Sequence, residues 1–309
     1  MEQTLLTPRV GFIIISEPYP DENYLNYCGT MENAPSSCIV CGSRDRELLM
    51  ERDPWRIYRC TSCGLGALDP RPTGEELKEL YTRDYFASQY DEGAEPGSVE
   101  FKKWLSLLEH RVRFFRKEKA CGRLLDVGCG NGYFMALCRS KGYDVQGIDV
   151  STWAATYATK TLGLTVHIGQ IDDVDLLGDQ FDIITMWHLL EHTRNPRHVL
   201  EKVKGWLEGD GILAVEVPNY EGRDARVYWE DWIGWQFPFH FFHFTPTCLR
   251  RLLTDCGFHL VKAKDYHSET VKRALKRIPV ASIFARRIAK FYSGHSIAVL
   301  AELRKDTGA

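Results

Sequence analysis

Two groups of residues in the sequence have the types and spacing of metal ligands. The first is two Cys-x-x-Cys pairs, Cys38 with Cys41 and Cys60 with Cys63, separated by 18 residues. The second is HLLEH at 188–192, which matches the H-x-x-E-H arrangement of a class of zinc peptidases. The first pattern predicts a metal ion held by four thiolates, and the second raises the question of a catalytic metal.

Matched cysteine pairs at this distance are typical of a tetrahedral zinc site with four cysteine ligands. Glycine follows each pair, at Gly42 and Gly64, where its free backbone lets amide N–H groups point at the thiolates. Two disulfides or a redox pair are the alternatives, but a redox Cys-x-x-Cys needs a strand–helix context that this segment lacks. Four thiolates leave no open coordination position, so we expect a structural Zn²⁺ that also stabilises a module of few apolar residues.

A glycine-rich loop follows a predicted buried strand in RLLDVGCGNGYF, residues 123–134. Gly128, Gly130 and Gly132 are spaced G-x-G-x-G, and the next predicted strand, 144–150, contains Asp149 near its end. A strand, a glycine loop, a helix and an acid about 20 residues downstream predict a nucleotide-binding βαβ unit. The dinucleotide fingerprint would place its third glycine at position 133, which is Tyr133.

The acid just before the loop narrows the choice of ligand. Asp126 lies near the end of the first predicted strand, where its charge would repel a pyrophosphate but attract a ligand carrying an ammonium and a sulfonium group. Asp149 can accept hydrogen bonds from both hydroxyls of a ribose. The ligand indicated is S-adenosylmethionine (SAM).

On these motifs the chain resembles the class I SAM-dependent methyltransferases. LLDVGCGNGYF resembles their first motif, GIDVS their second, and residues 169–219 the rest of their core. The resemblance implies that the loop lies along the methionine part of SAM, that Asp149 binds the ribose, and that Ile148 or Val150 packs on the adenine. The full set of cofactor contacts expected is Tyr85, Asp126, Gly128, Cys129, Gly130, Asp149, Val150, Ile171, Asp172 and Trp187.

A narrower resemblance comes from three features that occur together. These are the cysteine pairs, the segment LDPRPTGEELKELYTRDYF at 68–86, and WEDWIGWQFPFHFFHFTPTCLRRLLTDCGF at 229–258. The combination resembles a bacterial branch associated with methylation of cell-surface polysaccharides or secondary metabolites. It implies a small-molecule acceptor, with a hydroxyl of a sugar, a glycolipid precursor or a secondary metabolite as the leading expectation.

Strand and helix patterns alternate along most of the chain, which predicts an α/β fold with helices on both faces of a parallel sheet. The last two predicted strands lack a compact crossover helix, so we expect an antiparallel last strand. The predicted architecture is a Rossmann-like, doubly wound, seven-stranded sheet with a small N-terminal zinc ribbon. The expected segments are an extension 1–35, the ribbon 36–70, a helical linker or cofactor cap 71–118, and the methyltransferase domain 119–309 with a basic helical insert 267–292. The predicted strands are 123–128, 144–150, 165–169, 181–187, 212–218, 259–266 and 296–303.

The basic insert stands out in a chain whose net charge is −3. Its residues 271–292 carry seven Lys or Arg and no acid. One interpretation is a solvated face of a lid or of a dimer helix pair; the other is attraction of an anionic acceptor or a membrane surface. The acidic balance of the rest of the chain argues against nucleic acid as a partner. No oligomeric state is indicated.

Composition predicts a cytoplasmic protein, with peripheral attachment at the inner membrane through 271–292 left open. No run of about 18 apolar residues exists, and the apolar patch at 10–16 is too short, and lacks the basic flank, for a signal peptide. The ten cysteines fit that compartment as thiols or metal ligands.

Candidate bases follow the predicted strands. SAM is already an activated electrophile, so alignment of the nucleophile and a base for a hydroxyl acceptor are what the protein must add. Ligands of open parallel sheets bind at the carboxyl ends of the strands, which favours His188 and His192. His240 is a third candidate, from the segment that contains Trp232 and Trp235, which we call the aromatic loop. The flank before HLLEH predicts strand, whereas a zinc peptidase needs helix on both sides; a weakly held divalent ion stays open. Alternative functions are a zinc-ribbon RNA methyltransferase and a non-catalytic SAM-binding or interaction protein.

Overall fold

The computed structural model describes residues 31–80, 93–176 and 178–304. The chain divides into two compact units. The first contains Gly74–Met186 and Gly205–Leu213; the second contains the described residues up to Thr73, Trp187–Lys204 and the residues from Ala214 onward. The predicted extension 1–35 lies almost wholly outside the described residues, and the predicted domain limits stay a prediction.

The elements are numbered along the described parts of the chain. The strands are β1 (Met31–Glu32), β2 (Arg46–Arg52), β3 (Trp55–Cys60), β4 (Gly66–Leu68), β5 (Arg71–Pro72), β6 (Gly122–Val127), β7 (Tyr143–Asp149), β8 (Thr165–Ile168), β9 (Phe181–Trp187), β10 (Leu207–Pro218), β11 (Phe242–His243), β12 (Phe258–His267) and β13 (Ser293–Leu303). The α-helices are α1 (Gly74–Leu80), α2 (Val99–Phe115), α3 (Tyr133–Ser140), α4 (Thr152–Lys160), α5 (Pro196–Trp206), α6 (Arg223–Tyr228), α7 (Pro246–Asp255), α8 (Glu269–Lys276), α9 (Pro279–Ser282) and α10 (Ala285–Ala289).

The main sheet has seven strands in the order β12-β13-β10-β9-β6-β7-β8. β6 pairs in parallel with β7 and β9, and β7 in parallel with β8, whereas β13 runs antiparallel to β12. The central strands β6 and β9 are buried over most of their length, as expected of strands covered on both faces. Observed strand limits fall close to the predicted ones, except that β10 begins at Leu207 rather than at 212. The predicted Rossmann-like α/β fold with an antiparallel last strand is confirmed.

The cysteine region forms a second, four-stranded sheet in the order β11-β4-β3-β2. β2 and β3 make a hairpin that returns the chain to Cys60 at the end of β3. β11 comes from the aromatic loop and pairs with β4, so that Phe242 lies opposite Ala67. The ribbon and the aromatic loop are therefore joined by backbone hydrogen bonds.

The basic insert between β12 and β13 folds into the three short helices α8, α9 and α10. The Ser268 hydroxyl caps α8 by accepting a hydrogen bond from the N–H of Val271. Asp224 of α6 accepts hydrogen bonds from the Ser268 hydroxyl and from the amides of Glu269 and Thr270, which anchors the start of the insert. None of the helices in the described residues has the length and apolar character to cross a bilayer.

Candidate functional site

The glycine loop (128–132) connects β6 to α3 through a backbone that only glycine adopts without strain. Gly128, Gly130 and Gly132 all have positive φ angles, of 80°, 54° and 81°. A Cβ on Gly132 would also lie 2.8 Å from Leu164 Cδ1, which is closer than such atoms approach. The G-x-G-x-G spacing thus has a conformational cause, and it leads the chain tightly from a strand into a helix N-terminus.

Asp149, at the end of β7, holds this loop. Its Oδ2 accepts a hydrogen bond from the N–H of Gly130 (2.7 Å) and its Oδ1 one from Ser151 (2.8 Å). The side chain is buried, and burial raises its pKa even though these amide hydrogen bonds favour the ionised form. A carboxylate has further lone pairs on both oxygens, so Asp149 can bind the loop and still accept ribose hydroxyls.

Asp126 is also buried, on the neighbouring strand β6. Thr185 of β9 donates its hydroxyl to Asp126 Oδ1 at 2.6 Å. Burial raises the pKa of Asp126 to about 7, against the hydrogen bond from Thr185 and the charge of Arg111, which lower it. The negative charge of Asp149 adds to the rise. Burial disfavours the ionised form of Asp126, and a cationic ligand bound nearby would favour it. The carboxyl group is therefore suited to a cationic ligand.

The residues predicted to contact adenine differ in their exposure. Ile148 is part of the core, whereas Val150, two positions on, leaves 48 % of its surface exposed. Of these two alternatives, Val150 is therefore the one with surface available to a ring. Ile171 is half-buried and Asp172 is exposed, and Tyr85 lies outside the described residues.

Two tyrosines that sequence reasoning missed hold the segment before α2. The hydroxyl oxygen of Tyr133, the first residue of α3, accepts a hydrogen bond from the Ala94 N–H at 2.6 Å. Tyr157 of α4 donates to the Ala94 carbonyl. Gly93 lies so close to the Tyr157 ring that a Cβ there would be 2.3 Å from it. Helices α3 and α4 thus fix the segment that precedes α2.

In the second unit, His188 begins a polar cluster at the end of β9. Its Nδ1 lies 3.2 Å from Glu191 Oε1 and its Nε2 lies 3.0 Å from Glu216 Oε1. Tyr266 donates its hydroxyl to the other oxygen of Glu216 at 3.0 Å. His188 also has a positive φ of 56°, an uncommon conformation for a residue with a side chain. We call His188, Glu191, His192, Glu216 and His240 the histidine cluster.

The two carboxylates change what His188 can do. Burial alone would lower its pKa, but Glu216 and Glu191 outweigh burial and raise it. A neutral imidazole has one N–H, so it cannot donate to both carboxylates, whereas an imidazolium can. The two carboxylates accordingly favour the charged form of His188, and both of its nitrogens are engaged. This arrangement suits a positioning residue better than a base.

His192 has the opposite electrostatic environment. Its Nδ1 lies 3.0 Å from the Phe239 carbonyl, which makes Nδ1 the protonated nitrogen and leaves Nε2 as the basic one. Burial lowers its pKa, in spite of the nearby Glu191 charge. The ring of His240 stands edge-on to His192 at 4.4 Å, and burial lowers the pKa of His240 as well. Both rings are therefore neutral at neutral pH.

HLLEH does not have the geometry of a peptidase site. The backbone of His188 is in the left-handed region, and within this motif only Leu190–His192 is helical, as one 3₁₀ turn. Both nitrogens of His188 face carboxylates rather than a point shared with His192. Ligand atoms of Glu191, His192 and His240 do lie within 4.8 Å of one another, so the predicted alternative of a weakly held ion keeps a geometric basis.

The four cysteines of the ribbon converge as the spacing predicts. Their sulfur atoms all lie within 4.8 Å of one another, with Cys38 to Cys63 at 3.5 Å and Cys41 to Cys60 at 3.4 Å. Zinc–thiolate bonds of about 2.3 Å in a tetrahedron place sulfur atoms about 3.8 Å apart, which fits. Among the described residues no cysteine is joined in a disulfide, so all four sulfur atoms are available to a metal ion.

Sequence reasoning also missed Glu216, Thr185 and Arg111. For Glu216 a signal existed, because it is an acid inside the apolar run ILAVEVP of β10 and is only 3 % exposed. Thr185 and Arg111 carry no such signal, since their importance comes from lying beside Asp126.

Comparisons with known proteins agree with the fold. A family model described as "Methyltransferase domain" matches residues 101–263, more than half of the chain. A Ubiquinone biosynthesis O-methyltransferase of Haemophilus ducreyi is 33 % identical over 116 residues, which cover 34 % of this chain and 48 % of that protein. A protein of the same name from Paraburkholderia phymatum is 34 % identical over 112 residues, covering 34 % and 47 %. The chain thus spans about half the length of the curated relatives it matches.

Among solved structures, a SAM-dependent methyltransferase from Archaeoglobus fulgidus aligns with a TM-score of 0.50 at 22 % identity, covering 65 % of this chain and 96 % of that one. This likeness supports the fold, and the family match supports the assignment of the chain to a protein family. The glycine loop and the buried Asp149 of β7 fall within the matched residues 101–263. The chain belongs to the methyltransferase-domain family.

Proposed function

We propose that this protein binds SAM and transfers its methyl group to a hydroxyl of a small-molecule acceptor. The observation that carries the proposal is the glycine loop, with its three left-handed glycines, bonded to the buried carboxylate of Asp149. Both acids of this region are buried, and a ligand with hydroxyls and a cationic centre gives each a partner. When bound, SAM supplies an electrophilic methyl group.

The residues of the first unit have distinct roles in this proposal. Backbone amides of the glycine loop and the Asp149 carboxylate hold the ribose and methionine parts, and Val150 packs on the adenine. Asp126 balances the positive charge of the ligand. Cys129, with a pKa raised by burial, stays a neutral thiol and is a wall of the site rather than a nucleophile.

His192 is the candidate base. It follows β9 in the chain, on the carboxyl side of a parallel strand, where ligands bind in sheets of this kind. Its Nδ1 is fixed by the Phe239 carbonyl, and its pKa is lowered, so a basic Nε2 is maintained at neutral pH. His188, charged between Glu191 and Glu216, positions this segment. The acceptor class rests on the O-methyltransferase name of the relatives and on the narrower resemblance to polysaccharide and secondary-metabolite enzymes.

A calorimetric titration with SAM tests the cofactor site. We expect the Asp149→Asn variant to weaken SAM binding by about 100-fold, because a buried charge-assisted hydrogen bond to the ribose is lost. Asp144→Asn, an exposed acid on the same strand, is the matched control and should bind as the parent does. Equal affinity of the parent and the Asp149 variant would contradict the proposal. Turnover with any acceptor would exclude a non-catalytic SAM-binding protein.

We propose further that the four-cysteine cluster holds one structural Zn²⁺. Arg197 donates a hydrogen bond to the Val40 carbonyl at 2.6 Å, and Tyr220 donates to the Gly64 carbonyl, so each cysteine knuckle is fixed by the rest of its unit. Elemental analysis should find one equivalent of zinc per chain, and none in Cys38→Ser/Cys63→Ser. Loss of the metal should lower the thermal midpoint by several degrees or more, since metal binding is part of the folding free energy. Cys256→Ser is the control variant.

A further inference from the structure

The basic insert, residues 267–292, exposes large apolar side chains that the fold leaves uncovered. Of the fifteen large hydrophobic residues that are exposed among the described ones, six fall within 278–292. The most exposed are Phe291 at 87 %, and Val280 and Ile283 at 77 % each. The others are Ile278, Phe284 and Tyr292. Isolated exposed hydrophobic residues are ordinary, but a concentration in one short stretch marks a surface that contacts something else.

Cationic residues precede and separate these apolar residues along the chain. Six of them are exposed: Arg273, Lys276, Arg277, Arg286, Arg287 and Lys290. In the parts of the chain that the structure describes, none of the six lies within ion-pairing distance of a carboxylate. The exception in the insert is Lys272, which pairs with Glu269 at 2.7 Å. The exposed surface of the insert therefore carries positive charges that no carboxylate of the described residues neutralises by ion pairing.

The combination identifies the occupant by its chemistry. A second copy of this surface would bring like charges together, which is repulsive. An RNA backbone would match the cations but leave the apolar side chains unused. A bilayer with anionic headgroups matches both, because the headgroup layer attracts cations and the layer beneath accepts apolar side chains.

We propose that the basic insert docks the protein on an anionic membrane surface. Ile283 and Phe291 enter the boundary between headgroups and acyl chains, and Arg286, Arg287 and Lys290 lie at the level of the lipid phosphates. The insert lies outside the glycine loop and the histidine cluster, so this inference does not depend on the proposed methyl transfer. If the proposed acceptor is attached to a lipid, docking would bring the protein to the membrane surface where that acceptor lies.

Co-sedimentation of the full chain with vesicles tests the proposal. One set of vesicles contains phosphatidylcholine only, and the other contains equal parts of phosphatidylcholine and phosphatidylglycerol. We expect binding to the anionic vesicles and little to the neutral ones. Arg286→Gln/Arg287→Gln/Lys290→Gln should reduce the partition coefficient by about tenfold or more, since each surface cation contributes to attraction. Ile283→Ser/Phe291→Ser should reduce it by a similar factor.

Matched controls separate a local surface effect from a change in total charge or hydropathy. Arg113→Gln/Arg116→Gln/Lys117→Gln removes three exposed cations around the end of α2, and Val99→Ser/Leu107→Ser removes two exposed apolar side chains from that helix. Both controls should bind vesicles as the parent does. All variants sit on exposed positions, and unchanged thermal midpoints and SAM titrations would show that they fold.

Three results would overturn the proposal. The first is a parent protein that does not sediment with anionic vesicles. The second is vesicle binding that the insert variants retain in full. The third is salt-dependent binding of a homopolymeric RNA that the insert variants lose, with no vesicle binding. Failure of SAM to bind in calorimetry would contradict the proposed function and leave vesicle binding as a separate result.

Discussion

The glycine loop and the histidine cluster are built in different ways. The loop region draws its groups from one short stretch: Gly130, Asp149 and Ser151 lie within 22 positions, and Asp149 accepts hydrogen bonds from the backbone amides of the other two. The histidine cluster joins HLLEH to Glu216 of β10 and to His240 of the aromatic loop. Binding geometry is thus set locally by backbone conformation, whereas the protonation states in the cluster depend on distant carboxylates and burial.

The first prediction separates catalysis from cofactor binding. His192→Ala should lower kcat by about 10²–10⁴, the usual contribution of a general base, and leave SAM affinity unchanged. Since burial lowers the pKa of His192, the parent should keep its activity at pH values somewhat below the ordinary histidine range. His259→Ala, an exposed histidine of β12, is the control. Steady-state kinetics with an acceptor that the parent methylates measure kcat. A loss of SAM binding in His192→Ala would contradict the assignment of catalysis to the histidine cluster and of cofactor binding to the glycine loop.

The second prediction concerns the charged state of His188. Its pKa is raised in the folded state, so the stabilisation it gives is present below the ordinary histidine pKa and is lost as pH rises through the folded value. Glu216→Gln should therefore cost about 3–5 kcal/mol of unfolding free energy at pH 6 and less at pH 9. Glu208→Gln, an exposed acid of the same strand, should have little effect. Urea unfolding at both pH values measures this, and a pH-independent loss would mean that His188 is not held as an imidazolium.

The third prediction concerns the cost of Asp126. Its pKa is raised to about 7 in the folded state, so the folded protein binds the proton more tightly than the unfolded chain, and stability falls as pH rises from about 4 to 7. Asp126→Asn should remove that fall and raise the unfolding free energy at pH 8 by about 2 kcal/mol, while weakening SAM binding about tenfold. Asp144→Asn should change neither. A less stable Asp126→Asn protein at pH 8 would show that the carboxylate is not strained.

Much of the fold could be predicted because its signals are local. Apolar runs such as FDIITMW, and glycines at alternate positions, are properties of a few consecutive residues, and the seven strands were found close to their observed limits. β10 was predicted to begin too late because LEGDG, which opens it, is polar and glycine-rich and extends past the buried part of the sheet. The cysteine spacing likewise led directly to the sulfur cluster.

The candidate site was predicted only in part. The two acids of the glycine-loop region follow from their places at the ends of strands, but the choice of Val150 over Ile148 needed their exposure. The sequence treated His188 and His192 as equivalent bases. They differ because Glu216, 28 residues downstream of His188, faces one of them, and the Phe239 carbonyl faces the other.

By itself the sequence determined the strand–loop–helix pattern, the family resemblance and the two cysteine pairs, since each depends on residue type and spacing along the chain. Only the tertiary structure decided which histidine is charged, which apolar residues of the basic insert stay exposed, and how the aromatic loop pairs with the ribbon. The physical reason is that burial and Coulomb interactions depend on distances in space, and residues far apart in the chain set those distances.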